Sequence, residues 1–127
     1  MKFLKIILLL LFSQITFGQN PYYYSIDKTN GLPSNSVYDI FQDSKGFMWF
    51  ATGKGLCRYD GSVFKTYTSD TQTSKSGSCI NEDSFGRIWY CNFDGYLYYV
   101  EDGKLKNLPQ KESIGYIKYG IIKDKLF

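Results

Sequence analysis

The heptapeptide Asp43-Ser44-Lys45-Gly46-Phe47-Met48-Trp49 returns forty residues later as Asp83-Ser84-Phe85-Gly86-Arg87-Ile88-Trp89. Each copy is followed at the same distance by a glycine, Gly55 or Gly95, and then by an aromatic-rich stretch. A β-rich unit recurring at this period constrains the chain to a repeat architecture, in which each unit buries its faces only against its neighbours. Two copies and the start of a third cannot close a ring, so the sequence reads as part of a larger molecule.

Within the first copy the pattern alternates between strands and turns. Ser36 to Gln42 reads as a strand dense enough in apolar and aromatic residues for burial on both faces. Asp43 to Gly46 is a tight turn, in which Asp bonds the backbone ahead of it and Gly supplies a positive φ. Phe47 to Thr52, Leu56 to Tyr59 and Val63 to Tyr67 are the next three strands, separated by Gly53-Lys54-Gly55 and Asp60-Gly61. Four antiparallel strands in a meander make one propeller blade. The expected fold is therefore all-β, an incomplete ring of about two and a half β-propeller blades.

The second copy places strands at Ser78 to Glu82, Arg87 to Asn92, Tyr96 to Val100 and Lys104 to Leu108, with Asp102-Gly103 as its last turn. The shift of that turn relative to Asp60-Gly61 points to an insertion in the third strand or its turn. A third copy starts at Ile117 to Lys123, turns at Asp124-Lys125 and reaches Leu126-Phe127, which match Ile88-Trp89. The expected units are a signal peptide at 1–18, a lead-in at 19–36, blade 1 at 37–68, a polar loop at 69–77, blade 2 at 78–108 and the start of blade 3 at 109–127. In the lead-in, Tyr22 to Ile26 reads as the strand that closes the ring against the last blade; an edge strand beside blade 1 is the plainer alternative.

The signal peptide rests on Lys2 and Lys5, the apolar run Ile6 to Phe12, and the small residues Thr16 and Gly18 before the expected cut. The run is too short for a membrane span of about twenty residues. Without Lys2 and Lys5, thirteen basic residues face twelve acidic ones and none are clustered, so nucleic acid is not an expected partner. Twelve Tyr, ten Phe and two Trp suit pleated, half-buried surfaces. Three cysteines, Cys57, Cys79 and Cys91, make an odd number for an exported chain. Free thiols packed as small hydrophobes are one reading, and a single bridge with one thiol left over is the other. With no CxxC pair and no histidine, no metal site is expected.

Gly31-Leu32-Pro33-Ser34-Asn35-Ser36-Val37, Asp43 to Gly46, Trp49, Thr52, Gly55-Leu56 and Tyr59-Asp60-Gly61 together resemble the two-component regulator propeller repeat, typical of Bacteroidetes sensors. In the second copy Asn92-Phe93-Asp94 replaces Thr-Gly-Lys and Tyr96 replaces the leucine. The resemblance implies a sensory propeller on the periplasmic side of the inner membrane. It also implies partners in the rest of the propeller and in a downstream membrane-spanning kinase or DNA-binding region. A small-molecule or glycan ligand and a homodimer of the complete protein are both compatible with it. No cofactor is implied.

The repeat positions Asp43, Gly46, Trp49, Gly55, Asp83, Gly86, Trp89 and Gly95 are read as structural. Asp-x-x-Gly lacks the alternating carboxylates of a calcium loop, which leaves turn capping for Asp43 and Asp83. The matching places of Trp49 and Trp89 point to packing between blades rather than to sugar stacking. Ligand-bearing loops are expected at one face: Pro33 to Asn35, Ser69 to Gly77, Pro109 to Gly115, and the turns Gly53 to Gly55 and Phe93 to Gly95. The polar run Ser69 to Ser76 reads first as a solvated linker. Two other functions stay in view, a secreted propeller enzyme acting on polysaccharide and an interaction scaffold. The enzyme is disfavoured because the acids sit at equivalent turns and histidine, the commonest general base, is missing.

Overall fold

A computed structural model describes residues 1–5, 21–109, 121–122 and 125–126. The expected cleavage site after Gly18, the loop from residue 110 to Gly115 and most of the third copy lie outside the described residues. Two four-stranded antiparallel sheets follow one another along the chain. The first consists of β1 (Val37–Gln42), β2 (Met48–Thr52), β3 (Gly55–Tyr59) and β4 (Phe64–Tyr67). The second consists of β5 (Gly77–Glu82), β6 (Ile88–Asn92), β7 (Leu97–Glu101) and β8 (Lys104–Asn107). Each sheet has its strands in chain order, a meander, as a propeller blade requires. A short antiparallel pair, β9 (Ile121–Ile122) and β10 (Lys125–Leu126), falls within the expected third copy.

Strand alternation divides the side chains of each blade between two faces. Trp49, Ala51, Leu56 and Tyr67 of blade 1 meet Ile80, Ile88, Tyr90, Tyr98 and Leu105 of blade 2 in one buried cluster. This is the core between the blades. The opposite face of blade 1 carries Phe50 and Cys57 under Leu32 and Ile26 of the lead-in. The opposite face of blade 2 carries Trp89, Cys91 and Leu97. The three thiols are unbridged, with Cys57 and Cys91 buried. Burial pushes the Cys57 thiol up to about 12 and Cys91 up to about 11, so neither is a thiolate at neutral pH.

Three features differ from the sequence expectations. β1 is not buried on both faces: its residues alternate, leaving Tyr38 and Ile40 half exposed at 50% and 56%. Ile40 pairs with Phe50 and so points to the face that the lead-in covers only in part. Tyr22 to Ile26 forms no ladder with blade 1, contrary to the edge-strand alternative; the closing-strand expectation concerns a partner in the last blade and is a separate matter. A 3-10 turn at Lys28–Asn30, capped by the Asp27 side chain and ended by Gly31 at φ 99°, folds the lead-in across the sheet face rather than along its edge.

The third difference concerns register between the copies. Ala51 pairs with Leu56, whereas its counterpart Cys91 pairs with Leu97, so Leu97 and not Tyr96 stands in the place of Leu56. The extra residue lies in the β6–β7 turn, where the Asn92 N–H bonds the Tyr96 carbonyl at 3.0 Å. Gly95 therefore sits inside that turn, while Gly55 belongs to the β2–β3 ladder opposite Thr52. The rest of the shift is a change of turn type. Asp60 caps the Ser62 and Val63 N–H groups at 2.8 Å each. The β7–β8 hairpin instead has Asp102 and Gly103 both at positive φ, 51° and 73°, as a two-residue primed turn demands.

Candidate functional site

The repeated Asp and Trp form one device. Asp43 Oδ1 accepts the Lys45 and Phe47 N–H groups at 3.0 and 2.9 Å, and Oδ2 accepts the Trp49 indole N–H at 2.8 Å. Asp83 does the same with Phe85, Arg87 and Trp89, at 3.0, 2.9 and 2.8 Å, and also takes the Arg87 Nε at 2.6 Å. Gly46 and Gly86 complete the two turns at φ 86° and 76°, a region that L side chains rarely adopt. One carboxylate therefore caps a turn and orients an indole six residues on. Trp49 and Trp89 are 3% and 8% exposed, so neither ring offers a face to a ligand. Burial works to raise the Asp83 carboxyl, but the Trp89 and Arg87 hydrogen bonds and the Arg87 charge outweigh it and hold it below the usual carboxylate range.

The upper face is defined by the entries to β1 and β5 and by the β2–β3 and β6–β7 turns. These segments are knitted together. The Gly53 N–H bonds the Ser36 carbonyl at 2.9 Å, Ser76 Oγ bonds the Gly53 carbonyl at 3.3 Å, and the Phe93 N–H bonds the Ser76 carbonyl at 2.9 Å. The run Ser69 to Ser76 is a strap on blade 2 rather than a solvated linker. The Tyr90 hydroxyl donates to the Lys75 carbonyl, Asn92 Nδ2 to the Ser74 carbonyl at 3.1 Å, and Thr73 Oγ1 to Asp94. Tyr98 reaches the Thr71 carbonyl at 3.4 Å. Tyr90 and Tyr98 are fully buried, and buried phenols need such partners. Polar composition concealed this, because the groups that satisfy the strap's carbonyls belong to strand residues 15 to 27 positions away.

Two aromatics remain open on this face. Tyr38 and Phe93, one from each blade, meet edge to face at 4.9 Å and are 50% and 36% exposed. Lys54 and the Thr73–Asp94 pair lie on the neighbouring turns. An aromatic pair beside hydroxyl and carboxylate groups is equipped to stack a flat apolar face and bond a polar rim. Tyr38 was not legible as such in the sequence, where it counted only as a strand residue.

Two carboxylates tie blade 1 to blade 2. Asp39 Oδ2 accepts the Ile80 N–H at 2.7 Å. Glu82 takes both the N–H and the hydroxyl of Ser44 at 2.7 Å. The signal for the second was present: a polar residue, Gln42 or Glu82, precedes the repeat Asp in each copy. The acids at the repeat turns are thus engaged in structural bonds, and no group of three metal-ligating side chains occurs among the described residues. No helix among them is long and apolar enough to cross a membrane.

A family model described as "Two component regulator propeller" matches residues 31–54. Histidine kinase P4 of Formosa agariphila is 37% identical over 59 residues, which cover 46% of this chain and 4% of that protein. The extracellular domain of a protein described as a hybrid two-component system from B. thetaiotaomicron superposes with a TM-score of 0.57 at 27% identity, over 68% of this chain and 13% of that one. Virginiamycin B lyase from Staphylococcus aureus superposes with a TM-score of 0.52 at 24% identity, over 64% of this chain and 30% of that one. At that identity the likeness to the lyase is one of fold alone. Residues 31–54 are a two-component regulator propeller repeat, and the blades are of propeller type. The chain spans a small part of each relative's length.

Proposed function

We propose that this chain, which carries a two-component regulator propeller repeat, is a sensory segment lying outside the cytoplasm in a regulator whose output domain is elsewhere in the protein. The observation that carries this reading is the match at residues 31–54, joined to the likeness with the extracellular domain of a hybrid two-component system. The segment itself performs no catalysis in this reading. Asp43 and Asp83 hold turns and indoles, and Glu82 holds the neighbouring blade, so these three carboxylates serve structural bonds rather than the paired acid and base that glycoside hydrolysis uses.

The experiment is to read the native transcript downstream of Phe127. The expected result is further repeats near forty residues, one apolar span of about twenty residues, and then a histidine kinase or DNA-binding region. Further repeats without a membrane span would sink the sensor reading.

In this proposal the ligand, a small molecule or glycan fragment, is taken on the upper face, where Tyr38 and Phe93 supply stacking surface. Saturation-transfer NMR on the full protein with mixed oligosaccharides is expected to light up ligand protons. Tyr38→Ser should remove that signal while lowering stability by about 0.5–1.5 kcal/mol, the worth of the aromatic pair it forms with Phe93. An undiminished signal in Tyr38→Ser would place the ligand elsewhere.

A further inference from the structure

Two of the three thiols lie on one face of blade 2. In the β5–β6 ladder Ser78 stands opposite Cys91 and Asn81 opposite Trp89, so Cys79 and Ile80 together face the single Tyr90. This is a bulge, and its two residues go to different sides of the sheet. Ile80 joins Tyr90 in the core between the blades, whereas Cys79 packs with Cys91, Trp89 and Leu97 on the opposite face. The change of direction is made at Cys79 itself, whose φ of 59° is uncommon for any residue but glycine. Cys57 belongs to another cluster, on blade 1 with Leu32 and Phe50.

The ladder brings the two cysteines within bridging range. Opposed residues of an antiparallel pair have Cα atoms about 4.5–5.5 Å apart, and one step along a strand is about 3.4 Å, which puts the residue beside Ser78 about 6 Å from Cys91. A disulfide spans Cα separations of about 4.4–6.8 Å and needs the two Cβ atoms turned toward each other. The bulge meets the second condition by returning Cys79 to the Cys91 side. Burial, and after it the charge of Cys79, push the Cys91 thiol up to about 11, which marks the two sulfurs as electrostatic neighbours. Cys91 is buried and Cys79 only half-buried, so Cys79 is the thiol that a reagent in solution meets first.

We propose that Cys79 and Cys91 are an oxidisable pair that closes to an intramolecular disulfide, with Cys57 left as the odd thiol. The count of cysteines leaves the pairing open, and the face that each one occupies decides it. The oxidant is itself a disulfide, either oxidised glutathione or an oxidised protein dithiol. The Cys79 sulfur attacks one sulfur of that disulfide, whose S–S bond breaks and whose other sulfur leaves as a thiol. The Cys91 sulfur then attacks Cys79, forms the bridge and releases the second thiol. The two cysteine protons end on the two released thiols, and the oxidant takes the two electrons. The bridge ties β5 to β6 two residues before Phe93, and so fixes the base of the turn that carries the open ring. It does not depend on the sensory reading.

The test is to hold the folded full-length protein in oxidised glutathione at about pH 8, where an accessible thiol is partly ionised. The sample is then quenched in acid, alkylated in denaturant, digested and mapped by mass spectrometry. Of the three thiols described here, only Cys57 should still take the alkylating reagent. The peptides of Cys79 and Cys91 should appear joined, and dithiothreitol should separate them. Cys57→Ser should form the same bridge to the same extent. Cys79→Ser should leave Cys91 open to alkylation, with no bridge to Cys57 in its place. Alkylation of both Cys79 and Cys91 after the oxidising step would overturn the pair. So would a glutathione adduct on Cys79 beside a free Cys91, or a bridge that includes Cys57.

Discussion

Gly77→Ala is expected to detach the first strand of blade 2 from its partner and to destabilise the chain by about 1–3 kcal/mol or more, the range for overpacking. A methyl at this position would lie 2.2 Å from the Cys91 carbonyl oxygen, 2.5 Å from the Tyr90 ring and 2.8 Å from the Asn92 Cα. Two of these three neighbours are backbone, so no rotamer change relieves the clash. The repeat alone would suggest the opposite, because blade 1 carries Val37 at the matching place, paired with Thr52 as Gly77 is with Asn92. Blade 2 differs in the bulge that follows, where Cys79 takes φ 59° and the ladder slips between Ser78 and Asn81. Gly53→Ala is the control, since its nearest neighbour is the Ser34 hydroxyl at 3.2 Å, the end of a side chain that can turn away. Urea unfolding followed by tryptophan fluorescence should show a large drop in midpoint for Gly77→Ala and little change for Gly53→Ala. Equal midpoints for Gly77→Ala and the parent would refute the packing argument.

Removing the Asp83 carboxylate is the second large effect. Asp83→Ala leaves the buried Trp89 N–H and two turn N–H groups without their acceptor and separates Arg87 from its shortest ion pair. Breaking such a buried arrangement costs about 3–5 kcal/mol. Asp43→Ala should cost less, because no arginine depends on it.

The same residue ties stability to pH. Its folded carboxyl is held below its unfolded value, so the stabilisation is fully present above about pH 4 and is lost as pH falls through the lowered folded value. Glu101, lowered by its Lys106 hydrogen bond, and Asp60, lowered by the Val63 and Ser62 N–H groups, act in the same direction from the surface, where salt screens them. In acid titrations of unfolding, Asp83→Asn should be less stable at pH 7 and should show a shallower loss below pH 4. A slope matching the parent's would mean that other carboxylates govern the acid limb.

The blades were legible because their signal is redundant. Asp43 and Asp83 mark turns, the apolar positions alternate, and the second copy checks the first. What sequence could not supply depended on which groups face one another across distance. The polar strap 69–76 looks solvated until Tyr90, Asn92 and Tyr98 are placed beneath its carbonyls. Tyr96 aligns with Leu56 by counting, and only the ladder shows that a three-residue turn has moved Leu97 into that place. β1 seemed apolar enough for burial on both sides, yet burial is set by what lies against a face, and Ile40 faces ground that the lead-in leaves bare. On the upper face, the loops could be assigned from the meander, whereas the pairing of Tyr38 with Phe93 needed both blades in position.

The bond from Asp39 to the Ile80 N–H has a consequence for how such a ring can be rearranged. In blade 2 the residue opposite Cys91, as Asp39 is opposite Ala51, is Ser78, followed by Cys79 in the bulge, and neither carries a carboxylate. Blade 1 thus presents to its successor a carboxylate that blade 2 cannot present to the next. The two modules are not interchangeable: a tandem copy of blade 1 would inherit a matching seam, and a tandem copy of blade 2 would stack on its own duplicate with one polar link missing. Order around the ring is written in boundary residues of this kind, while the shared turn and indole keep every module the same shape.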